Sequence, residues 1–427
     1  MLICALVLAL SSGALQTPPL APPEPGPVDL ASLLAEALEN NPEIAAAASR
    51  VRAAETSPSQ VEVLPDPVAG VSYTNVGISN LNLGDEDDAM LTLSWAQEVP
   101  YPGKLRLAGD AARSEISMAR LRLDMARLDV ATRVKQAYTE LYHSDHHTLV
   151  VKEHRQLLIS FLETARVRYE TGEGTLQNVL KAQTEIARMD ADLEGFAEER
   201  YVARAQLNTL AGRLWDVPMG PALALPDTTS SPDPVRLEEE ALERSPAILE
   251  AVAAVTREEA RLELSRRQLR PDFLWGAAYG YRGDIDPEIT GSFGIRLPLY
   301  QERKQAQGIV QASHRLEAAR HDLASKKLAV AAEVRTLCGR VARAESLERL
   351  YSEVVIPQAR SSLDSAAFAY GAGRIEFLAV ISDFTTLLNY ERDHITQQHD
   401  RVIALAALER LTGLELVRVG PASAPGH

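Results

Sequence analysis

An internal duplication with a period of about 200 residues limits what this chain can fold into, because a repeated sequence folds into repeated structural units. Three segments of the first half return in the second half in the same order, and the last two pairs share an offset of 201 positions. The matching segments are Leu38–Ile44 with Leu242–Ile248, Tyr169–Gly172 with Tyr370–Gly373, and Leu207–Gly212 with Leu408–Gly413. The sequence therefore predicts two copies of one structural unit in tandem.

Each copy begins with a predicted helix, over residues 28–60 in the first copy and 235–268 in the second. Both helices contain a capping side chain directly before a proline, in Asn41-Pro42 and Ser245-Pro246. Asn and Ser are favoured at the N-cap, and proline is favoured at the first helical position. A helix is therefore expected to begin at each of these two places.

Two long helices form a predicted hairpin in each copy. The first covers residues 103–168 or 302–370, and a helix of about 65 residues extends for roughly 100 Å, longer than a compact domain. Pro357 should kink or interrupt the second of these long helices, because proline lacks a backbone donor and crowds the preceding turn. Glycine, which adopts a positive φ most easily, occupies the turns at Gly172 and Gly373 and the hairpin ends at Gly212 and Gly413.

Between the first helix and the hairpin, each copy has two runs that alternate residue by residue, which is typical of β-strands. These runs are residues 70–74 and 91–96 in the first copy and 273–281 and 289–299 in the second. One face is apolar and aromatic, with Phe273, Trp275, Tyr279, Ile295 and Leu297. The other face is small or polar, with Gly276, Ala278, Thr290 and Ser292.

Strands with one apolar face are typical of a transmembrane β-barrel, in which no unpaired edge meets lipid. Four strands are too few to enclose a water-filled channel, since even eight fill their own interior. A membrane interpretation therefore requires several chains to share one barrel, with the apolar face towards lipid or the adjoining interface and the small face towards the lumen. The polar, acidic segments 77–88 and 282–288 are expected to be exposed loops. The alternative is a pair of soluble hairpins packed on a core.

The chain begins with an apolar run followed by small residues, which predicts a signal peptide over residues 1–14; the alternative is a buried N-terminal helix. The run of about ten apolar residues is shorter than the roughly 20 that a transmembrane helix needs. The other predicted units follow from proline-rich stretches and from the repeat boundaries. They are an N-terminal linker at 15–27, the first repeat at 28–217, a linker at 218–234, the second repeat at 235–415 and a disordered tail at 416–427.

Charge and motifs exclude two classes of function. The formal net charge of −15 argues against nucleic acid as a partner, because nucleic-acid binders carry basic stripes. The sequence contains no GxSxG elbow, HExxH helix, P-loop, dinucleotide fingerprint or CxxC pair. We therefore expect neither an enzyme nor a bound cofactor.

The order of these elements, together with several short motifs, resembles the TolC-like outer-membrane efflux proteins. The resemblance extends from about residue 28 to residue 415. Its motifs are Asn41-Pro42, Leu64–Pro67, Pro100–Lys104, Leu297–Tyr300 and the two Tyr-x-x-Gly turns. The run Gln97–Leu105 is most similar to members that serve heavy-metal efflux.

The resemblance implies a mainly α protein with β-strands that works as a homotrimer in the bacterial outer membrane and extends into the periplasm. Each chain would give four strands to a shared twelve-stranded β-barrel, and the duplicated helical hairpins would form a trimeric α-barrel. The assembly would be a passive duct for small molecules or metal ions, with a periplasmic adaptor and an inner-membrane pump as partners. The alternative is a soluble periplasmic coiled-coil adaptor or structural protein.

Residues near the two hairpin turns are candidates for a role through this resemblance. The turns at Gly172 and Gly373 would dock the adaptor. Four acidic side chains would line a periplasmic constriction: Glu170, Glu173, Glu376 and Asp383. Family members with a described gate have an Asp-Val-Leu-Asp pattern, but residues 379–382 read Ala-Val-Ile-Ser here, so an aspartate gate is not carried over. A solvated acidic helix end is the alternative for the glutamates.

A histidine cluster in the first long helix is the one pattern that suggests metal chemistry. Positions 143, 147 and 154 lie within about 40° of one another on a helix. His143, His147 and His154 are therefore candidate ligands of a shared metal ion. The alternative, a solvated helix face with polar contacts, is favoured, because no carboxylate is fixed on the same stripe.

Overall fold

The structure is a computed structural model that describes residues 26–75, 89–228 and 232–418. The predicted signal peptide, nearly all of the N-terminal linker, the loop at 77–88 and the last part of the tail lie outside the described residues.

The described chain repeats one succession of elements, as the duplication predicts. The first copy contains α1 (Leu30–Asn40), α2 (Pro42–Glu55), α3 (Ser57–Val61), β1 (Val68–Thr74), β2 (Met90–Val99), α4 (Lys104–Glu170) and α5 (Leu176–Leu210). A short strand, β3 (Asp227–Thr228), lies in the connection. The second copy contains α6 (Pro234–Arg244), α7 (Pro246–Arg267), β4 (Asp272–Arg282), β5 (Ile285–Arg296), α8 (Gln305–Leu350), α9 (Ile356–Gly371), α10 (Phe377–Thr412) and β6 (Val417–Arg418).

The predicted first helix is broken at Asn41 in one copy and at Ser245 in the other. The Asn41 side chain caps α2 by accepting a hydrogen bond from the Glu43 amide at 2.9 Å. Its Nδ2 also donates to the Leu210 carbonyl at 2.9 Å, which joins the start of α2 to the end of α5. Ser245 occupies the equivalent N-cap position, but its side chain makes no capping bond. The expected Ser245 side-chain cap is therefore wrong, and the proline that follows fixes the helix start by itself.

The long helices have the predicted lengths. Helix α4 contains 67 residues, which corresponds to about 100 Å of helix. In the second copy the helix is interrupted by a π-helical segment, Tyr351–Val355, directly before α9. Pro357 is the second residue of α9 and cannot donate to a carbonyl of the preceding turn, so the hydrogen-bond register shifts there. The predicted interruption at Pro357 is confirmed.

Strands and helices lie side by side in one common order. The four long strands form an antiparallel sheet with the order β1-β2-β4-β5, so β2 and β4 join the two copies. Among the helices, α4 contacts α2 and α5 as well as α7 and α10, and α8 contacts α7 and α10. Each long strand directly precedes or directly follows a helix in the sequence. The helices therefore lie next to one another in the same order as the strands. Within the described residues, β1 and β5 are the two edges of the sheet.

The turn between β4 and β5 is shorter than expected. Arg282 pairs with Ile285, so only Gly283 and Asp284 remain between the strands. Gly283 has a φ of 68°, which allows a two-residue turn. The loop expected at 282–288 is therefore wrong, and most of that segment belongs to β5. The strand ends at Arg296, so Leu297 lies beyond it.

The linker at 218–234 and the start of the tail at 416–427 are both packed against the helices. Met219 is buried in the first copy, and β3 pairs with β6 at Asp227–Arg418 and Thr228–Val417. The amides of Leu416 and Val417 donate to the Glu409 carboxylate at 2.7 and 2.8 Å. Residues 416–418 are thus ordered, contrary to the expected disorder, because a buried carboxylate satisfies their backbone.

Apolar clusters hold the helices together along their length. Leu158, Met189, Phe384 and Leu388 are buried in the half towards the hairpin turns. Nearer the sheet, the first copy has one cluster around Tyr138, and the second copy has two, around Leu405 and around Leu316. No helix in the described part of the chain combines the length and the apolar character that a membrane span requires.

Candidate functional site

The sheet places the predicted apolar residues on one face. Leu93 of β2 pairs with Val71 of β1 and with Tyr279 of β4, and Tyr279 pairs with Ile289 of β5, which makes a row across all four strands. Trp275 pairs with Phe293, and their ring centroids are 4.9 Å apart. These side chains are largely uncovered in the single chain: Trp275 is 53% exposed and Ile289 is 81% exposed. Four elements thus present one continuous apolar surface.

The opposite face is small or polar, as predicted. Ala278 pairs with Ser94 and Thr290, and Gly276 pairs with Ser292. A Cβ atom on Gly276 would lie 2.5 Å from the Ser292 hydroxyl, so this face is closely packed at that point. The alternation confirms the assignment of faces for the predicted residues inside the strands, with Leu297 outside β5 as the exception.

A polar contact at the corner between sheet and helices joins the two copies. Lys104, the first residue of α4, lies 2.7 Å from the Asp272 carboxylate at the start of β4. The Tyr101 amide donates to the same carboxylate oxygen at 2.7 Å. Gly103, between them, has a φ of 94°. The Pro100–Lys104 motif therefore makes a tight corner that attaches the first copy to the second.

The hairpin turns have the predicted backbone. Gly172 and Gly373 adopt φ angles of 80° and 69°, and they connect α4 to α5 and α9 to α10. A Cβ atom on Gly172 would meet nothing within 4 Å, whereas one on Gly373 would lie 2.9 Å from the Arg168 guanidinium. A side chain at either place is strained by the positive φ.

Arg168 links the two turns. Its guanidinium lies 4.9 Å from the centroid of the Tyr370 ring and also donates to the Tyr370 carbonyl. Glu173 is 3.7 Å from the same guanidinium. A cation over an aromatic face is attracted by the ring quadrupole. Sequence reasoning missed Arg168, and the duplication offers no signal for it, because the equivalent residue of the second copy is Ala369.

The acidic residues at the turns are not brought together within one chain. Glu170, Glu173 and Glu376 are exposed at the two helix ends, and Glu173 is in the ion pair with Arg168. Asp383 lies further along α10 and accepts a hydrogen bond from the Ser362 hydroxyl at 2.9 Å. A shared constriction would therefore need several chains, and it stays a prediction.

Two of the three candidate histidine ligands are in contact. The Nε2 atoms of His143 and His147 are 3.0 Å apart, and the His399 ring of α10 lies 4.8 Å from the His143 ring. Burial lowers the pKa of His143 to about 4 and the pKa of His147 to about 3. Burial alone would also lower the pKa of His399, but the carboxylates of Glu140 and Asp400, at 2.9 and 3.2 Å, raise it above its ordinary value.

His154 has a different environment. Its Nε2 lies 2.6 Å from the Glu391 carboxylate, which also accepts a hydrogen bond from Arg360 at 2.6 Å. Across the residues that the structure describes, no group of three or more His, Cys, Asp or Glu side chains is arranged to hold a metal ion. The prediction that His143, His147 and His154 share a metal ion is wrong, because His154 is paired with Glu391 of the facing helix.

Comparisons with known proteins agree on one family. The family model described as outer membrane efflux protein matches residues 33–213 and 237–414, which are the two copies. The chain belongs to the outer membrane efflux protein family. It is 20% identical over 396 residues to the cobalt-zinc-cadmium resistance protein CzcC of Cupriavidus metallidurans, covering 91% of this chain and 90% of that protein. It is 22% identical over 414 residues to the pyoverdine export outer membrane protein OpmQ of Pseudomonas putida, covering 90% and 86%.

Solved structures show the same fold. The outer membrane protein VceC of Vibrio cholerae superposes with a TM-score of 0.77 at 22% identity, covering 90% of this chain and 96% of that one. The CusC channel superposes with a TM-score of 0.77 at 16% identity, covering 90% and 92%. As an outer membrane efflux protein, the chain is a channel component of the outer membrane and not a soluble periplasmic adaptor. The position of the apolar strand face against lipid stays a prediction.

A pair of equivalent residues at the ends of α5 and α10 also escaped sequence reasoning. Asn208 donates to the Val217 carbonyl at 2.8 Å, and Glu409, which lies 201 positions later, accepts from the amides of Leu416 and Val417. Both side chains reach across the glycine turn that ends their helix. The sequence did contain a signal for this pair: the repeated segments Leu207–Gly212 and Leu408–Gly413 each have a polar residue at the same position, and that position is buried in both copies.

Proposed function

We propose that three copies of this outer membrane efflux protein assemble into one duct, in which twelve strands share a single β-barrel and the helices continue it into the periplasm. The observation that supports this most directly is the four-stranded sheet with an exposed apolar face and two edges, β1 and β5. An open edge is unfavourable in lipid, where every backbone donor and acceptor needs a partner. Pairing β5 of one copy with β1 of the next satisfies both edges and closes the sheet.

The duct is passive and works with two partners, a periplasmic adaptor and an inner-membrane pump. The turns at Gly172 and Gly373 lie at the end of the helices remote from the sheet, where an adaptor would dock. The proposed function is passage through the duct and involves no enzymatic step. The predicted signal peptide at 1–14 would direct the chain across the inner membrane.

The cargo is a small molecule or a metal ion from the periplasm. The two curated relatives differ in this respect, since one is named for cobalt, zinc and cadmium resistance and the other for pyoverdine export. The resemblance of Gln97–Leu105 to heavy-metal members lies in a corner motif, and its contacts with Asp272 position helices rather than cargo.

The experiment that tests the duct is purification from outer membranes in detergent, followed by native mass spectrometry and planar-bilayer recording. We expect a trimer and stepwise conductance. A monomer that produces no conductance steps would refute the proposal, whatever its membrane location.

A further inference from the structure

Two imidazoles of α4, those of His143 and His147, form a pair whose geometry resembles that of metal ligands. The two residues are one helical turn apart, and their Nε2 atoms are 3.0 Å from each other. With metal–nitrogen distances of about 2.0–2.1 Å, two neighbouring ligand nitrogens lie about 2.9 Å apart at a right angle and about 3.3 Å apart in a tetrahedron. The observed separation lies between these two values, so both Nε2 atoms can reach one ion with little movement.

The surrounding helices hold this histidine pair in place. His147 is 3% exposed, and its ring is stacked on Phe196 of α5 at 5.1 Å between centroids. The Arg392 guanidinium of α10 lies 5.4 Å from the same Phe196 ring, and it lies 3.1 Å from the Asp192 carboxylate. Packing on three helices therefore fixes the His147 ring before any ligand arrives, which a precise binding site requires.

Carboxylates connect the histidine pair to the surface. The His399 ring is 4.8 Å from the His143 ring, and its nitrogens lie 2.9 Å from Glu140 and 3.2 Å from Asp400. The side chains of Glu140 and Asp400 are 51% and 57% exposed. Glu140 lines a surface groove of about 660 Å³ and Asp400 lines another of about 450 Å³. Grooves with negative side chains concentrate cations, so they offer an entry path towards His143.

The state of the two imidazoles suits a weakly held ion. Burial lowers the pKa of both His143 and His147, so at neutral pH both rings are unprotonated, which is the form that binds a metal. The Nδ1 atom of His147 is buried and makes no hydrogen bond within the described part of the chain. A metal-binding histidine normally donates from its second nitrogen, and loss of that partner costs about 10–100-fold in affinity. Binding at this pair should therefore be reversible and fast.

We propose that His143 and His147 bind one divalent transition-metal ion per chain through their Nε2 atoms, with water in the remaining positions. The chemical class is Cu²⁺, Ni²⁺, Co²⁺ or Zn²⁺, which suit imidazole, whereas Mg²⁺ and Ca²⁺ prefer oxygen ligands. Two protein ligands are fewer than the three that the helical pattern predicted, in agreement with the lack of a three-residue group among the described side chains. The site lies within one chain and needs no second copy.

Electron paramagnetic resonance with Cu²⁺ as the probe counts the nitrogen ligands directly. The full-length protein is purified from outer membranes in detergent with a histidine-free tag, treated with a chelator and given one equivalent of Cu²⁺ per chain. All variants also contain His314→Gln and His321→Gln, because these exposed histidines of α8 flank Glu317 and could bind the probe. The hyperfine pattern should show two imidazole nitrogens, and His143→Gln should leave one. A spectrum that does not change in His143→Gln/His147→Gln would overturn the site.

Calorimetric titration with Ni²⁺ tests the same pair by affinity. His143→Gln and His147→Gln should each raise the Kd at least tenfold, since losing a ligand costs no less than the roughly 10–100-fold of a lost outer partner. The matched control is His146→Gln, whose ring is stacked on Tyr142 at 5.4 Å and lies about 100° from His147 around the helix. It should leave the Kd unchanged, and a millimolar excess of Mg²⁺ should not compete. Equal weakening by His146→Gln would overturn the assignment.

Two further measurements keep the outcomes separate. Circular dichroism first shows that each variant is folded, and because His143 is only half-buried, His143→Gln decides the question even if His147→Gln unfolds. Planar-bilayer recording of the same preparation then tests the duct. A protein that conducts but shows no copper signal from the histidine pair overturns the metal site alone, whereas one that binds copper there and does not conduct overturns the duct alone.

Discussion

The buried ion pair between Lys135 and Glu409 gives the sharpest test of how the C-terminal strand is held. Their side chains are 6% and 8% exposed, and Lys135 Nζ lies 2.5 Å from Glu409 Oε2. The other carboxylate oxygen accepts both amides of Leu416 and Val417, while Lys135 also donates to the Val417 carbonyl at 3.3 Å. One carboxylate thus neutralises a buried ammonium and satisfies two backbone hydrogen-bond donors.

Replacing Glu409 by glutamine keeps the shape but leaves the Lys135 ammonium buried without a counter-charge. Removing one partner of a buried pair costs about 3–5 kcal/mol. Since 1.36 kcal/mol corresponds to a factor of ten, exchange of the Leu416 and Val417 amides should become faster by a factor on the order of 100 to 5,000. Hydrogen–deuterium exchange of the peptide that covers 412–418 measures this directly.

The double variant Lys135→Met/Glu409→Gln should exchange more slowly than Glu409→Gln alone, because it no longer contains a buried, unpaired ammonium. Arg410→Gln is the matched control: this neighbour is 42% exposed and lies 3.4 Å from Glu333, so its loss should change stability by at most about 1 kcal/mol. If the effects of Lys135→Met and Glu409→Gln add to within about 0.5 kcal/mol, the pair is not coupled and the reasoning is wrong.

Four further predictions concern the membrane face, the turns, the acidic ends and the histidines. Arginine at Trp275 should destabilise the barrel by about 2–4 kcal/mol at midplane depth, whereas arginine at Thr290 should cost little; thermal melting of the trimer compares them, and equal losses would contradict the assigned faces. Valine at Gly172 or Gly373 should abolish export but leave the trimer in the outer membrane, because the strained turn is remote from the sheet; efflux assays with membrane blotting decide, and loss of trimer in both would make the glycines folding determinants. Glutamine at Glu170, Glu173 and Glu376 together should reduce cation preference in planar bilayers, most clearly at about 0.01 M salt, where the Debye length is about 30 Å; unchanged selectivity would place these side chains on the outer surface. Folded-state pKa values of about 4 for His143 and about 3 for His147 lie below the unfolded value of about 6.5. Folding stability should therefore decrease progressively as pH falls from about 6.5 towards about 3. The pKa of His399 is raised, so its contribution to stability declines at higher pH. Chemical denaturation across pH checks the sign, because His143→Gln should flatten the acidic limb.

Much of the fold was predictable because it is encoded twice. The order of helix, strand pair and hairpin appears in both halves, and local rules then place its boundaries. Gly172 and Gly373 have the expected positive φ, and Pro357 follows a shift of helical register as its missing donor requires. The strand faces followed from alternation alone, because a period of two leaves no freedom in which side chains share a face.

What the sequence did not predict are contacts between elements far apart in the chain. The tail at 416–418 is ordered by Glu409 and Lys135, which lie on different helices of different copies. His154 was grouped with His143 and His147 by helical angle, but its partner is set by Glu391 of the facing helix. Arg168 has no counterpart in the second copy, so comparison of the two copies could not reveal its role. Helical periodicity shows on which face of a helix a side chain lies, but it does not show which residue of another helix that side chain contacts.

The two copies have diverged where their surroundings differ. Inside the chain, the contact between α4 and α10 is permanent once folded, so it tolerates a buried ammonium, a carboxylate and three histidines whose partners are always present. Thr132 and Thr139 of α4 are buried there, whereas the equivalent residues of α8, Ala332 and Gly339, are exposed in the single chain. A buried polar side chain needs a hydrogen-bond partner, so this requirement acts on these positions in one copy only. The two copies therefore keep the same helices but not the same polar contacts.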